Sequence, residues 1–356
     1  MKRTELFCKE IKESKIPTFI WGAQLMASLI EKRLVADKIE IDGFVVDDSY
    51  AKIPGRGYFA RSEVLAIHKE YNIICGHIET FYKSEAELKN HWPGCRRFYF
   101  FPDIFEVTAT ESISEEFFAQ NKENFKMVYH TLYDELSRKS LKAFLNEKLF
   151  GDYKPILPYI ITPQYFFEDS PWKYTDNEVL FDCGAYDGDS IRDFINIVGV
   201  YEKVIACEPD QNNYNCLLEN IKQNHWESII TYQMGISEKR GDVKFQPSGD
   251  VFSKIDEKGE EKILVDTIDN LSKGKRVTII KMDIEGFEMA ALYGAENTIK
   301  KYRPLLMISA YHKRDDIYHI FQFINSKVKD YVYFFRCHRP HPIDTVLYAI
   351  PCERMK

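Results

Sequence analysis

Glu178-Val-Leu-Phe-Asp-Cys-Gly-Ala-Tyr-Asp-Gly-Asp-Ser190 is the stretch on which the fold turns. Val179-Leu180-Phe181 is a short apolar run, as a buried strand carries, and it ends in an acid, Asp182. A tight turn follows, with Gly184 and Gly188 four residues apart. A helical spacing then begins near Ser190 and continues through Ile191, Phe194, Ile195 and Val198. Strand, glycine turn and helix in that order open a nucleotide-binding α/β unit. Glycines let the backbone approach a ligand closely, and the helix start offers free N–H groups.

The acids narrow the ligand. Asp182, Asp187 and Asp189 crowd the turn and would repel a pyrophosphate. They suit a cation with a free amino group. An acid-ended strand followed by Gly-x-x-x-Gly is the pattern of an S-adenosylmethionine site, because that cofactor carries an ammonium and a sulfonium. Asp182, Gly184, Ala185, Tyr186, Asp187, Gly188, Asp189 and Ser190 are therefore candidate cofactor residues. A strand–turn–helix corner with no ligand is the plain structural alternative.

Downstream, the alternation continues. Lys203 to Cys207 reads as a second strand, closed by Glu208-Pro209-Asp210. Glu208 falls twenty residues after Gly188, where an acid can accept hydrogen bonds from ribose hydroxyls, and Pro209 beside it is a further candidate cofactor residue. A helix from Gln211 to Asn224 leads to a third strand, Ile229 to Met234. Gly235-Ile236-Ser237 follows, where an adenine could lie against backbone and Ile236. The polar stretch Glu238 to Glu261 fits a hairpin insertion. Val277 to Met282 is an apolar fourth strand broken by Lys281, ending in Asp283-Ile-Glu285-Gly-Phe-Glu288, with a helix running on to Lys300. Pro304 to Ala310 is a fifth strand ending at Tyr311-His312, followed by a helix from Ile317 to Val328. Tyr331 to Arg336 and Thr345 to Ile350 make a closing pair. The expected architecture is a class I methyltransferase Rossmann-like fold, a parallel sheet with a terminal antiparallel hairpin.

Upstream, Pro17 to Trp21, Ile41 to Val46, Asn72 to Gly76 and Phe98 to Phe101 read as strands separated by helical spacing, which implies a smaller N-terminal Rossmann-like α/β domain. Its first turn holds a single glycine, so a complete Gly-x-Gly-x-x-Gly is missing. From Ser112 to about Leu149 apolar residues recur at three- and four-residue steps, stopped by Gly151 and Pro155. The aromatic run Tyr159 to Phe167 could lie over the site as a lid bringing Tyr165 or Phe166, or simply pack. The expected division is residues 1–111 as the N-terminal domain, 112–175 as a helical connector and lid, and 176–356 as the catalytic domain.

Bulk numbers set outer limits. The 356 residues, 45% hydrophobic and 29% charged, describe an ordinary globular chain. A net charge of -7 argues against a dedicated nucleic-acid binder and suits a small-molecule or glycan substrate. The 25 Phe and 22 Tyr fit aromatic-rich cores before sugar-stacking surfaces. None of the eight cysteines is spaced Cys-x-x-Cys, so no zinc or redox motif is expected. No segment reaches the apolar length of a membrane span. A cytoplasmic location follows as the expectation, and a homo-oligomer is open to the chain.

Together these pieces resemble the FkbM family of S-adenosylmethionine-dependent methyltransferases over roughly Leu132 to Ile350. The motifs that carry the resemblance are Asp182 to Gly188, Glu208-Pro209, Gly235-Ile-Ser237, Asp266-Thr-Ile-Asp269, Lys281-Met-Asp-Ile-Glu-Gly286 with Glu288, Gly294-Ala295 and Arg303-Pro304. This chain has Tyr311 just before His312, where many relatives carry an acid. The resemblance implies O-methylation, often of sugar or polyketide hydroxyls. Asp283 and His312, then Glu285, are the candidate catalytic groups, with Lys281 pairing with Glu285 or orienting substrate; Asp283 could instead face the cofactor. Glu288 reads as charge complementing a helix N-terminus. A metal held by Asp283, Glu285 and His312 is the alternative to none, and none is the expectation. Two other classes stay open: an NAD(P)-linked oxidoreductase using the N-terminal unit, and a non-catalytic nucleotide-binding partner in a glycan-assembly complex.

Overall fold

The computed structural model describes residues 3–23, 25–50, 58–77, 80, 83, 85–100, 111–151, 153–246, 254–255, 261–340 and 343–356. The chain divides into two compact units, Met1–Thr108 and Ala109–Lys356.

The first unit runs α1 (Arg3–Glu13), β1 (Thr18–Trp21), α2 (Leu25–Ala36), β2 (Gly43–Val46), β3 (Tyr58–Ala60), α3 (Arg61–Ile67), β4 (Tyr71–Cys75), α4 (Glu85–His91) and β5 (Cys95–Phe100). All its strands pair in parallel, in the order β3-β2-β1-β4-β5. The central strands β1 and β4 are buried throughout, so they read as apolar runs rather than alternating ones. Ile20 and Ile74 face Ala27, Ile30 and Leu34 on one side; Phe19, Trp21 and Ile73 face Val64, Leu88 and Trp92 on the other. The edge strand β3 went unread in the sequence, because three residues leave no period to detect. The stretch just before the expected boundary at residue 111, residues 101–110, lies outside the described residues.

The second unit opens with α5 (Glu115–Gln120), α6 (Lys122–Thr131) and α7 (Glu135–Phe150). The nucleotide-binding pattern follows as β6 (Val179–Cys183), α8 (Asp189–Val198), β7 (Lys203–Cys207), α9 (Gln211–Gln223) and β8 (Ile229–Tyr232). A side excursion comes next: β9 (Gly235–Ile236), β10 (Gly241–Gln246), β11 (Lys254–Ile255), β12 (Glu261–Asp266) and α10 (Ile268–Leu271). The chain returns through β13 (Ile279–Met282), α11 (Glu288–Tyr293), α12 (Glu296–Tyr302), β14 (Leu305–Ser309), α13 (Asp316–Lys327), β15 (Tyr331–Cys337) and β16 (Thr345–Pro351).

The main sheet has the order β8-β7-β6-β13-β14-β16-β15. Its first five strands are parallel, and β16 lies antiparallel between β14 and β15. This is the class I methyltransferase layout expected from the sequence. β9 leaves the main sheet and pairs with β12 in a second sheet, β11-β10-β12-β9. The expected hairpin insertion is partly seen as β10 against β12; residues 247–253 and 256–260 lie outside the described residues.

The helical pattern after Ser112 resolves into three helices. Leu132 bridges to Tyr333, and Asp134 starts α7 by accepting the Ser137 N–H at 2.7 Å. Asp134 also takes the Arg336 guanidinium at 2.6 Å, clamping α7 to β15. The helix expected to reach Lys300 stops at Gly294, where a Cβ would stand 2.2 Å from the Ser237 carbonyl oxygen. Among the described residues no helix is long and apolar enough to cross a membrane.

The aromatic run packs as core: Phe166 and Phe167 are buried among Trp172, Phe194 and Tyr348. Its link to the hairpin is His338, 3% exposed, with Nδ1 2.6 Å from the Ile161 carbonyl oxygen and Nε2 2.9 Å from the Tyr348 hydroxyl. Burial pulls the imidazole down to about 4. The unfolded chain therefore takes a proton below about pH 6.5 that the folded chain refuses. This contribution to stability is complete above about pH 6.5 and lost as pH falls toward 4. We expect wild-type unfolding free energy to drop by about 2.5 kcal/mol relative to His338→Gln between about pH 7 and pH 4.5. Urea titrations of both proteins at both pH values read the difference; parallel curves would contradict it.

Candidate active site

β6 and β13 are neighbours in the sheet, yet the chain leaves β6 outward through β7 and β8 before returning to β13. Such a switch point opens a crevice at the carboxyl ends of the two strands. Asp182 and Lys281 are register partners there. Lys281 Nζ stands 3.0 Å from Asp182 Oδ1 and donates to the Gly184 carbonyl oxygen at 2.6 Å. The Ser190 hydroxyl donates to Asp182 Oδ2 at 2.5 Å. Burial pushes the Asp182 carboxyl up, against the pull of Lys281. Burial alone would lower Lys281, but Asp182, Asp283 and Asp189 outweigh it and keep the ammonium charged. Lys281 thus pairs with Asp182, not with Glu285 as the sequence suggested. Asp182 is spent inside the protein rather than left open to a ligand's ammonium.

The turn is shaped by contact. Gly184 has φ +77°, and a Cβ on it would lie 2.0 Å from the Asp283 carbonyl oxygen. No other residue fits. Glu208 spans from β7 to this turn: Oε2 accepts the Tyr186 N–H and Oε1 the Asp210 N–H, both at 2.9 Å. Burial pushes its carboxyl up to about 7. Pro209 sits between these anchors. Asp187 Oδ1 accepts the Asp189 N–H at 3.1 Å, and Asp189 itself is exposed. Ala185 is fully buried in the core. Asp182 to Ser190 and Glu208 therefore form one contiguous group. Gly235, Ile236 and Ser237 do not join it through any described contact; Ser237 donates to the Asp266 carbonyl at 3.0 Å, under Gly294.

The acids after β13 meet the end of β14. Asp283 accepts the Tyr165 hydroxyl at 2.8 Å and the Tyr311 hydroxyl at 3.2 Å, and Tyr165 also reaches the Ser309 hydroxyl at 2.9 Å. His312, 3% exposed, has Nε2 3.6 Å from Asp283 and 3.5 Å from Glu285, and Nδ1 3.1 Å from Glu288. Burial would lower the imidazole, but Glu288 and Glu285 outweigh it and hold it well above its usual range. The sequence brought His312 and Asp283 together as a pair, and the structure surrounds the imidazole with carboxylates. Glu288 is fully buried and also accepts the Ile284 N–H at 3.0 Å, so it does more than complement a helix end. Glu285, Tyr165 and Tyr186 are non-glycine residues with positive φ at this edge of the sheet. Such conformations gather where function fixes the backbone.

Sequence reasoning missed Tyr311, Ser309 and Asp316 as members of the group, and it set Tyr165 no partner. Asp316, 2% exposed, lies on the first turn of α13 and shares the His312 surroundings with Glu288. The available signal was the position of Ser309 and Tyr311 at the end of β14, facing the end of β13.

Residues 182–335 match the family model of the methyltransferase FkbM domain. The resemblance read from the motifs stands for this stretch. The hexuronic acid methyltransferase AglP of Haloferax volcanii is 27% identical over 131 residues, which are 35% of this chain and 53% of that protein. The chain thus spans about half the length of the curated relative it matches. The crystal structure of methyltransferase FkbM from Methylobacillus flagellatus KT superposes with a TM-score of 0.70 at 22% identity, covering 98% of this chain and 94% of that one. That likeness carries the fold.

Removing one partner of a buried ion pair strands the other charge. We expect Asp182→Ala in the FkbM-matched stretch to lose about 3–5 kcal/mol of stability. Adding Lys281→Met should recover at least about 1 kcal/mol of that loss. Thermal and urea unfolding of the single and double variants decide; strictly additive losses would refute the pairing.

Proposed function

We propose that this chain is an S-adenosylmethionine-dependent O-methyltransferase acting on a hydroxyl of a sugar, sugar nucleotide or glycan precursor. The observation that carries the reading is the acid-lined glycine turn at the β6/β13 switch point, with Glu208 reaching into it from β7. The FkbM match over the same residues supports methyl transfer, and the hexuronic acid methyltransferase supports a sugar acceptor.

The residues fit the cofactor. Gly184 keeps the turn free of a side chain where the backbone passes closest to Asp283. Each Glu208 oxygen is held by one N–H and keeps a second lone pair for a ribose hydroxyl. The exposed Asp189 supplies negative charge at the mouth. When bound, S-adenosylmethionine supplies a methyl group already activated by its sulfonium, so the chain has mainly to align an acceptor oxygen. Orientation of that kind lowers a barrier by several kcal/mol, about 7–11 at most.

On the acceptor side, Asp283 is fixed by two tyrosine hydroxyls. Glu285 lies at the mouth with its side chain 16% exposed. It is placed to take the proton that the acceptor hydroxyl releases as its oxygen is methylated, a role worth about 10²–10⁴-fold in rate. Tyr165 closes over Lys281, its ring 5.3 Å from the ammonium, and keeps water from the buried pair.

Calorimetric titration with S-adenosylhomocysteine tests the cofactor half. We expect binding to wild type in the micromolar range, and at least about 10-fold weaker binding to Glu208→Ala, whose fold circular dichroism checks; each lost charge-assisted contact is worth about 1.5–3 kcal/mol. No heat at high micromolar ligand would overturn the reading. Transfer of labelled methyl to a panel of hexuronic acids, their nucleotide conjugates and neutral sugars then names the acceptor class.

A further inference from the structure

His312 is 3% exposed and neither ring nitrogen makes a hydrogen bond, although Nε2 stands 3.6 Å from Asp283 Oδ1 and 3.5 Å from Glu285 Oε2. One ligand atom from each of these residues lies within 4.8 Å of the others. Behind the ring, Glu288 and Asp316 are 0% and 2% exposed, and one Glu288 oxygen is without a hydrogen-bond partner. Four carboxylates therefore surround one imidazole. Among the described residues no lysine or arginine ion-pairs with any of the four. Buried acids on this scale call for positive charge.

We propose that Asp283, Glu285 and His312 hold a divalent cation of the manganese or zinc kind, at the acceptor end of the site. The donor spacing fits. Ligands about 2.1 Å from a tetrahedral ion stand about 3.4 Å apart, and those of an octahedral ion about 3.0 Å in cis positions. The observed 3.5 and 3.6 Å lie within a few tenths of an ångström of the former, so the side chains need only a small contraction. One imidazole with two carboxylates suits manganese or zinc better than calcium. Outer contacts are in place as well. Tyr311 and Tyr165 orient Asp283, while Glu288 lies 3.1 Å from Nδ1, ready to accept its N–H and turn Nε2 toward the ion. The group is not a loose acidic patch: its histidine is buried, and both ring nitrogens face carboxylates without a completed hydrogen bond.

The role of the ion rests on the methyltransferase reading above. A cation there would grip neighbouring oxygens of the acceptor, such as two vicinal hydroxyls or a hydroxyl and a uronate carboxylate, and lower the pKa of a bound hydroxyl. That assigns the acceptor a chelating pair of oxygens rather than an isolated alcohol.

The test uses Mn²⁺ alone, added to the full chain after treatment with EDTA and followed by the loss of the free-ion electron paramagnetic resonance signal. We expect one tightly held Mn²⁺ per chain. Asp283→Asn and Glu285→Gln should each weaken it at least about 10-fold while keeping the wild-type melting temperature to within a few degrees. Glu208→Gln, on the cofactor side, should bind Mn²⁺ as wild type does. No uptake at millimolar Mn²⁺, or uptake unchanged in both ligand variants, overturns the proposal. A parallel titration with S-adenosylhomocysteine keeps the two readings apart. Mn²⁺ bound without the cofactor product leaves the cation site standing and removes the methyltransferase reading; the converse removes only the cation.

Discussion

The buried pair of Asp182 and Lys281 is the constraint around which the second unit is arranged. The two residues are register partners on adjacent parallel strands, both almost without exposure. At an effective dielectric of about 20 their attraction is worth about 5–6 kcal/mol, while desolvating each ion takes back several. The net contribution to stability is therefore small. What the pair supplies is register. A slip of one residue would place an unpaired carboxylate and an unpaired ammonium in an apolar sheet. Lys281 then reaches on to the Gly184 carbonyl, so the same charge that aligns β6 with β13 also fixes the start of the turn.

The helices that precede β6 belong to this arrangement. Lys148, near the end of α7, donates to the Tyr311 carbonyl at 2.7 Å and to the Glu111 carbonyl at 2.9 Å, and Glu111 donates to the His312 carbonyl at 2.7 Å. The loop carrying Tyr311 and His312 is thereby held from outside the sheet. At the other end of α7, Asp134 binds Arg336 on β15. A segment that reads as a connector in sequence acts as a brace for the loop that carries Tyr311 and His312. Its sequence shows only helical spacing, since the partners that give it purpose lie about 160 to 200 residues away.

The periodic parts of the chain were legible because burial writes itself into residue type. Val179 to Phe181 and Leu305 to Ile308 are apolar runs since both faces of their strands are covered, and Gly184 is required by a backbone contact that any side chain would violate. Direction of charge was less legible. Nothing local to Lys281 distinguishes Asp182 from Glu285 as its partner; the choice is made by strand pairing, which sets residue 281 opposite residue 182. For the same reason Glu288 read as a helix-end charge, when the fold turns it onto His312. Gly235 to Ser237 read as the turn closing the third strand, yet the excursion through β10 and β12 draws Gly235 and Ile236 into a second sheet.

These placements divide the acids into two kinds. Around the glycine turn the two buried carboxylates are matched from within: Asp182 by Lys281 and Ser190, Glu208 by two backbone N–H groups. Negative charge there is fixed in direction before any ligand arrives, which is what preorganised recognition of a cation requires. Around His312 the match is incomplete. Burial and then Glu288 push Asp316 up, burial pushes Glu285 up, and the single imidazole holds Glu288 down. A half-satisfied polar group is costly in a low-dielectric interior. The fold nevertheless holds it rigidly, with Tyr165 and Tyr311 on Asp283 and a left-handed backbone at Glu285. Deficit of positive charge together with rigid geometry is the condition under which binding a cation, or a substrate that brings one, relieves strain that folding alone leaves in place.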